Sequence, residues 1–369
     1  MKSHSASRVG LDFEQTLLAA AQIKGVRQSQ VLTHAAVHSL PEGLVSEGEV
    51  TDVASLASQL KSFWRKNNFS GRHVLLGVAN QKIVVRTMEF PVIDEKELRA
   101  AVEFQAQEHI PIPVEEAVLD YQITATFTGE DGQSRQRILL VAAQRDMIRQ
   151  FVEVARKAGL VVDGIDLQAF ALARSLAFPF DLSATPMAED ETAMALVHIG
   201  SGITNLVVVA GSTPQFTRVI SLGSESLLHP LMAQHNATVE DAWRLAVTVG
   251  LRTDGEEPLP EDVTPESAEA IHSALEGACE TFSDEIRRSI DYYHTQAQTG
   301  RIGRVLLTGE GSLVRNLAEY LAHGLHVDVT LANPLQRLAE NRSKIGSAEL
   351  EALAPRLAIA IGLALDDEE

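Results

Sequence analysis

The chain reads as a duplicated α/β fold, two lobes closing on a shared cleft, and three features of the sequence point there. The first is residues 192–218, where the apolar run 193–199, broken only by His198, and the β-branched run 203–210 are parted by Gly200, Ser201 and Gly202. Two Val/Ile-rich runs joined by a short turn with two glycines make a tight hairpin, because glycine takes positive φ without steric cost. Ser212, Thr213 and Pro214 then turn the chain into a third strand, 215–221. The second feature is the same shape near the N-terminus: 9–17 followed by LAAAQI is strand, polar turn, strand, and aligning the two turns sets Asp12 opposite His198. The third is length, since 369 residues amount to two or three typical domains. This internal repeat has a period far too long for a solenoid.

Composition narrows the function classes. With 45% hydrophobic residues the chain has material for sizeable cores, and 31 basic against 50 acidic residues leave a formal charge of -19. Such a charge argues against nucleic acid or anionic lipid as the main partner. A lone cysteine, Cys279, allows no internal disulfide, fits a reducing cytosol and reads as a core residue of a helix. The segment MKSHSASR has no apolar core of a signal peptide, and the apolar run 357–365 is about half of what a membrane crossing needs. A soluble chain is the expectation.

Taken in order, the first lobe (7–81) continues from its hairpin into an apolar stretch at 31–40 and a turn-rich acidic loop at 41–50. Leu56, Leu60, Phe63 and Trp64 recur at helical spacing over 52–66, and HVLLGVA, 73–79, is a buried strand. Residues 82–167 read as an inserted α/β unit. Its parts are a strand ending at Pro91, a helix over 94–109, the break IPIPV, strands at 117–126 and 135–143, a helix over 145–158 stopped by Gly159, and a returning strand at 160–167. Residues 168–190 return to the first lobe and end in a Pro-, Ser- and acid-rich linker, and 191–352 form the second lobe. That lobe holds helices at 225–234, 239–249 and 267–298, a strand running into a glycine turn at 301–311, and a helix capped by Ser312. A helix from Pro355 and an acidic tail complete the chain, 353–369.

Several of these stretches carry a resemblance. VVRTMEFPVIDEKELRAAVEFQAQEHIPIPVEEAVLDYQ, LLVAAQRDMIRQFVEVARKAGLVVDGIDLQAFAL, IGSGITNLVVVAGSTPQFTRVISLG, FSDEIRRSIDYYHTQ, VLLTGEG, ANPLQRL and LAPRLAIAIGLAL together resemble the PilM family, actin-like cytoplasmic proteins of type IV pilus assembly, over about residues 8–366. The resemblance implies a two-lobed actin-like fold of duplicated ribonuclease-H-like subdomains, as in sugar kinases and heat-shock chaperones, with the insert placed like the 1C subdomain of FtsA. It implies ATP with Mg²⁺ in the cleft and slow or absent turnover. The implied partner is the cytoplasmic N-terminal segment of PilN, held near the insert, so that the chain sits at the cytoplasmic face of the inner membrane through its partners, other pilus-assembly proteins among them.

Against that pattern the nucleotide elements are each altered. The first phosphate turn keeps Asp12 and Thr16 but has Glu14 where glycine lets phosphate approach, and Ala19 where the family tends to carry lysine. Like charges at about 4 Å and an effective dielectric of about 20 cost roughly 4 kcal/mol, half of the roughly 8 kcal/mol behind a micromolar affinity. A hairpin tip with no ligand is therefore as good a reading as a phosphate site. The second turn keeps Gly200, Ser201, Gly202 and Thr204, whose backbone N–H groups and hydroxyls suit phosphate, but has His198 in place of the usual aspartate. Imidazole is a poor partner for Mg²⁺, and a lone histidine on an apolar strand also reads as a core residue. In the adenosine turn, Gly309, Gly311 and Ser312 remain while Glu310 interrupts the glycines and is expected to point to solvent. Glu285 and Arg288, three apart on the long helix, either bracket adenine and ribose or form an ordinary surface pair. Weak or absent ATP binding, no metal site and no catalysis are the expectation, since no nucleophile stands beside a base.

The tetrad 110–113 is a stiff extended segment. With Glu103, Glu108, Glu115, Glu116 and Asp120 nearby it is expected to wall an acidic groove for a basic tail, Glu103 and Asp120 being the contacts. The alternatives are a phosphotransferase on the same fold, a nucleotide-controlled assembly, or a filament former, for which the acidic end 366–369 would make a poor lipid anchor.

Overall fold

Strands β1 (Arg8–Phe13) and β2 (Leu17–Lys24) form the N-terminal antiparallel hairpin, with Asp12 across from Ala19. Both strands are buried almost throughout, as continuous apolar runs covered on two faces must be. The computed structural model describes residues 7–25, 29–129, 131–177, 193–211, 213–235, 237–253, 258–296 and 301–365. The expected linker and acidic tail lie outside them.

Strand β3 (Val31–Ser39) pairs with β2, and a small ribbon, β4 (Val45–Ser46) and β5 (Glu49–Val50), occupies the expected acidic loop. Asp52 accepts from Ala54 N and Ser55 N to cap α1 (Val53–Lys66), whose Leu56, Leu60 and Phe63 turn inward as their spacing predicts. Strand β6 (His73–Val78) lies parallel to β1 on its other side.

Next come β7 (Val84–Pro91), α2 (Glu95–His109), β8 (Ala117–Thr128) and β9 (Ser134–Gln144). They form a separate three-stranded sheet, β7-β9-β8, with its own core under α2 of Leu98, Val102, Ala106, Ile138 and Leu140. The insert ends there and not at 167. Helix α3 (Arg145–Ala158) packs Phe151, Val154 and Ala155 into the first lobe's core, and β10 (Val161–Leu167) runs parallel to β6. An amphipathic helix and a short strand serve either body equally well in sequence; the pairing of β10 with β6 decides between them. Helix α4 (Gln168–Leu176) follows.

The second lobe repeats the scheme with β11 (Ala193–Ile199), β12 (Thr204–Ala210) and β13 (Thr213–Ile220), then α5 (Ser224–His235), α6 (Val239–Thr248) and α7 (Pro265–Gln296). Strand β14 (Ile302–Thr308) is parallel to β11 and, after α8 (Leu317–Leu325), β15 (Asp328–Leu331) is parallel to β14. The sheets therefore run β3-β2-β1-β6-β10 and β13-β12-β11-β14-β15, the same order twice, and β16 (Glu340–Asn341) adds an edge beside β3. Ser312 caps no helix. It lies in a 3₁₀ turn, its hydroxyl donating to Gly309 O, and α8 starts at Leu317.

Helix α9 (Ser347–Ala364) begins before the expected Pro355 and returns to the first lobe. Residues 357–364 are all buried, as an all-apolar helix requires. They press on β1, β2 and α4 so closely that a Cβ at Gly10 would overlap Ala360 O and one at Gly362 would overlap Ala171 O. Among the described residues no helix is long and apolar enough to cross a membrane.

Candidate functional site

The β1–β2 and β11–β12 tips meet between the lobes, and Ser201, expected to bind phosphate there, is held by Glu14 and Thr16 of the other tip. Glu14 reaches across from the first tip. Its Oε2 accepts from Ser201 N at 2.7 Å and its Oε1 lies 2.9 Å from His198 Nε2. Thr16 N donates to Ser201 Oγ at 3.0 Å, and Gln15 Nε2 donates to Glu225 Oε2 at 2.6 Å. Asp12 is fully buried and accepts from Gln168 Nε2 at 2.6 Å, while Gln168 Oε1 accepts from Asn205 Nδ2 at 2.8 Å. Burial, and then the charge of Glu14, push the Asp12 carboxyl well above the usual carboxylate range, with the Gln168 bond acting the other way.

The glycines of the second turn serve this closure. A Cβ on Gly200 would stand 2.9 Å from Glu14 Oε2, and one on Gly202 would overlap the Gln15 amide. Thr204 donates to Leu222 O at 2.7 Å, and the start of α5 hydrogen-bonds the carbonyls of Gly200 and Ser201. The space left between Glu14, His198, Gly200, Gly202, Gln168 and Asn205 is about 10 Å³, room for about one water. Glu14 already occupies the Ser201 amide that the phosphate reading assigns to a ligand.

The adenosine turn is also engaged. Gly309 has a φ of 86° and a Cβ there would overlap Ile199 O, while its N–H donates to Pro355 O at 3.0 Å. Gly311 packs on the Ile199 side chain. Glu310 does not point to solvent. It turns inward to Arg356 Nη2 at 3.2 Å and Ser224 Oγ at 3.4 Å, and burial raises its carboxyl above the ordinary range. Arg356 in turn stacks over Trp243. Glu285 and Arg288 pair with each other at 2.7 Å, as an i, i+3 surface pair does, and Glu285 also meets Arg218 at 3.5 Å. They line no common cavity with the glycine turns.

A family profile, that of the type IV pilus assembly protein PilM, matches residues 10–368. The chain belongs to this family. Among solved structures it is similar to a PilM-PilN type IV pilus biogenesis complex, with 24% identity, 98% of both chains covered and a TM-score of 0.78. It is also similar to the ethanolamine utilization protein EutJ from Carboxydothermus hydrogenoformans, at 12% identity, 98% and 89% coverage and a TM-score of 0.54. A third likeness is MreB5 of Spiroplasma citri bound to ADP, at 13% identity, 97% and 95% coverage and a TM-score of 0.50. The fold is thus the two-lobed actin-like one that the resemblance implies, with the duplication that the two hairpins predict.

The larger opening lies where the insert, the first lobe and the second lobe meet, a groove of about 750 Å³. Val78 and Ala169 of the first lobe, Arg86 and Pro111 of the insert, and Arg218 and Glu285 of the second lobe line it. Pro111 of the IPIPV break lines this groove, but its charged lining residues are Arg86, Arg218 and Glu285, not the acidic wall expected. Glu103 and Asp120 are both exposed but do not line it, and they are not brought together. Glu103 follows Val102, which faces the core under α2, whereas Asp120 pairs with Val141 on the opposite face of the sheet from Leu119 and Leu140. Gln168, Asn205, Gln15, Glu225 and Arg356 join the site although the sequence reading gives none of them a role there. Only the alternation of their strands and helices could have placed them.

Proposed function

We propose that this chain is a scaffold of type IV pilus assembly whose interlobe cleft is a structural joint, not a nucleotide site. The observation that carries the reading is the Glu14 carboxylate on the Ser201 amide, at 2.7 Å. Any bound phosphate would have to displace that carboxylate and the His198 contact behind it. ATP with Mg²⁺ is accordingly bound weakly or not at all, and there is no turnover.

Membership of the PilM family and likeness to a PilM-PilN complex support a partner of the PilN kind. The cytoplasmic N-terminal peptide of that partner docks in the groove between insert and lobes, where Pro111 supplies a stiff wall and Arg86, Arg218 and Glu285 supply charge. The chain then sits at the cytoplasmic face of the inner membrane through its partner, without inserting, and its charge of -19 keeps it from nucleic acid and anionic lipid.

Calorimetric titration of the full chain, with MgATP and with a synthetic partner peptide, tests both halves. The reading expects no saturable heat from MgATP and a micromolar peptide site weakened by Arg218→Glu or Arg86→Glu. A low-micromolar MgATP constant would overturn the first half and favour nucleotide-controlled assembly. Unchanged peptide affinity in both arginine variants, with loss in Glu103→Lys or Asp120→Lys, would move the partner to the outer faces of the insert.

A further inference from the structure

The closed cleft brings together two buried carboxyl groups and a buried imidazole. Asp12, Glu14 and His198 are 0%, 6% and 1% exposed, and each offers one ligand atom such that all three atoms lie within 4.8 Å of one another. Among the described residues no lysine or arginine pairs with either carboxylate; Glu14 has His198 and the Ser201 N–H, and Asp12 Oδ1 has the neutral Gln168 amide. Asp12 Oδ2 is buried without any hydrogen-bond partner. A carboxyl buried this way is costly to ionise unless a cation meets it, and a bound cation would favour its charged form.

We propose that Asp12, Glu14 and His198 bind one divalent first-row transition-metal cation of the Mn²⁺ to Zn²⁺ series, directly and without nucleotide, and that this ion staples the two lobes. Three arguments meet here. Two carboxylates and a neutral imidazole carry a charge that one divalent ion cancels, and a mixed nitrogen and oxygen set selects these metals over Mg²⁺, which prefers oxygen and keeps its waters. The 2.9 Å between His198 Nε2 and Glu14 Oε1 is close to the edge of about 3.0 Å between adjacent ligands of an octahedral ion at about 2.1 Å, and shorter than the edge of about 3.4 Å in a tetrahedral site. Third, the outer partners that orient ligands are present: Asn205 holds Gln168, which holds Asp12, and Ser201 N holds Glu14. The space of about 10 Å³ beside Glu14 and His198 is of the size of a single ion or water.

Asp12 and Glu14 come from the first tip and His198 from the second, so the ion would tie together the same two hairpins that the Glu14–Ser201 bond joins. This inference goes beyond the scaffold reading and stands or falls apart from it, because peptide docking in the groove needs no metal.

The test strips the full chain with chelator, then titrates Zn²⁺, Mn²⁺ and Mg²⁺ by calorimetry, with metal content by mass spectrometry and Tm alongside. One Zn²⁺ or Mn²⁺ per chain is expected, with a higher Tm and with Mg²⁺ weaker by about 100-fold. Asp12→Asn, which keeps the Gln168 contact, and His198→Gln should each weaken the site by about tenfold or more. Glu285→Gln should leave it unchanged. Absence of a stoichiometric ion in the parent chain would overturn the proposal, and so would Asp12→Asn binding as tightly as the parent. Should His198→Gln fail to fold, Asp12→Asn decides alone.

Discussion

The Glu14 carboxylate lies 2.7 Å from the Ser201 amide, across the boundary between two lobes that are 187 residues apart in sequence at this point. Glu14 supplies to the Ser201 amide the acceptor that a phosphate oxygen would supply in the proposed reading. Replacing it with alanine leaves the Ser201 N–H and the His198 Nε2 buried without a partner. Glu14→Ala should therefore lower stability by about 2–4 kcal/mol, read by urea denaturation. A loss below about 0.5 kcal/mol would mean that the bond adds little to the joint.

Glycine carries opposite meanings at two positions. Gly309 has positive φ and no space beside Ile199 O, so Gly309→Ala should destabilise by about 2 kcal/mol or more. Gly277 is exposed within α7 with nothing near its missing Cβ, so Gly277→Ala should stabilise by about 0.5–1 kcal/mol. Thermal melts of the pair give the comparison, and equal signs would contradict it.

Cys279 is fully buried in the second lobe's core, and burial pushes its thiol up to about 12. Thiolate is the reactive form, so alkylation at about pH 8 should be negligible in the folded chain and complete in denaturant. Fast labelling of the native protein would show that α7 opens.

Glu310 has its pKa raised by burial, in the face of Arg356. A carboxyl raised on folding contributes stability below its unfolded pKa that is lost as pH rises through the folded value. The stability of Glu310→Gln relative to the parent should therefore move in favour of the variant as pH rises above the ordinary carboxylate value of 4.5, whatever offset the lost Arg356 contact sets. Movement toward the parent over that range would mean that the Arg356 pair outweighs desolvation.

Much of this was legible in the residues. The two glycine-turn hairpins and their strand runs give the duplicated sheets, and Glu14 and His198 mark the cleft as altered. What Glu14 does with its charge was not legible, since Ser201 and His198 come within reach only when the lobes close. Glu310 faces inward because Arg356 arrives on α9, 46 residues later, and no local pattern encodes that meeting. The end of the insert was missed for a related reason: the buried stripe Met147, Phe151, Val154 of α3 says that the helix is covered, not by which lobe.

Helix α9 closes the first lobe with residues made after the whole second lobe. On a ribosome, β1 and β2 emerge early, yet the apolar face that meets Leu357, Ala360 and Ile361 stays bare until 347–364 leave the exit tunnel. The N-terminal half thus waits, sticky and unfinished, through most of translation. A fragment ending near residue 177 is expected to aggregate, and adding the α9 sequence back should rescue it.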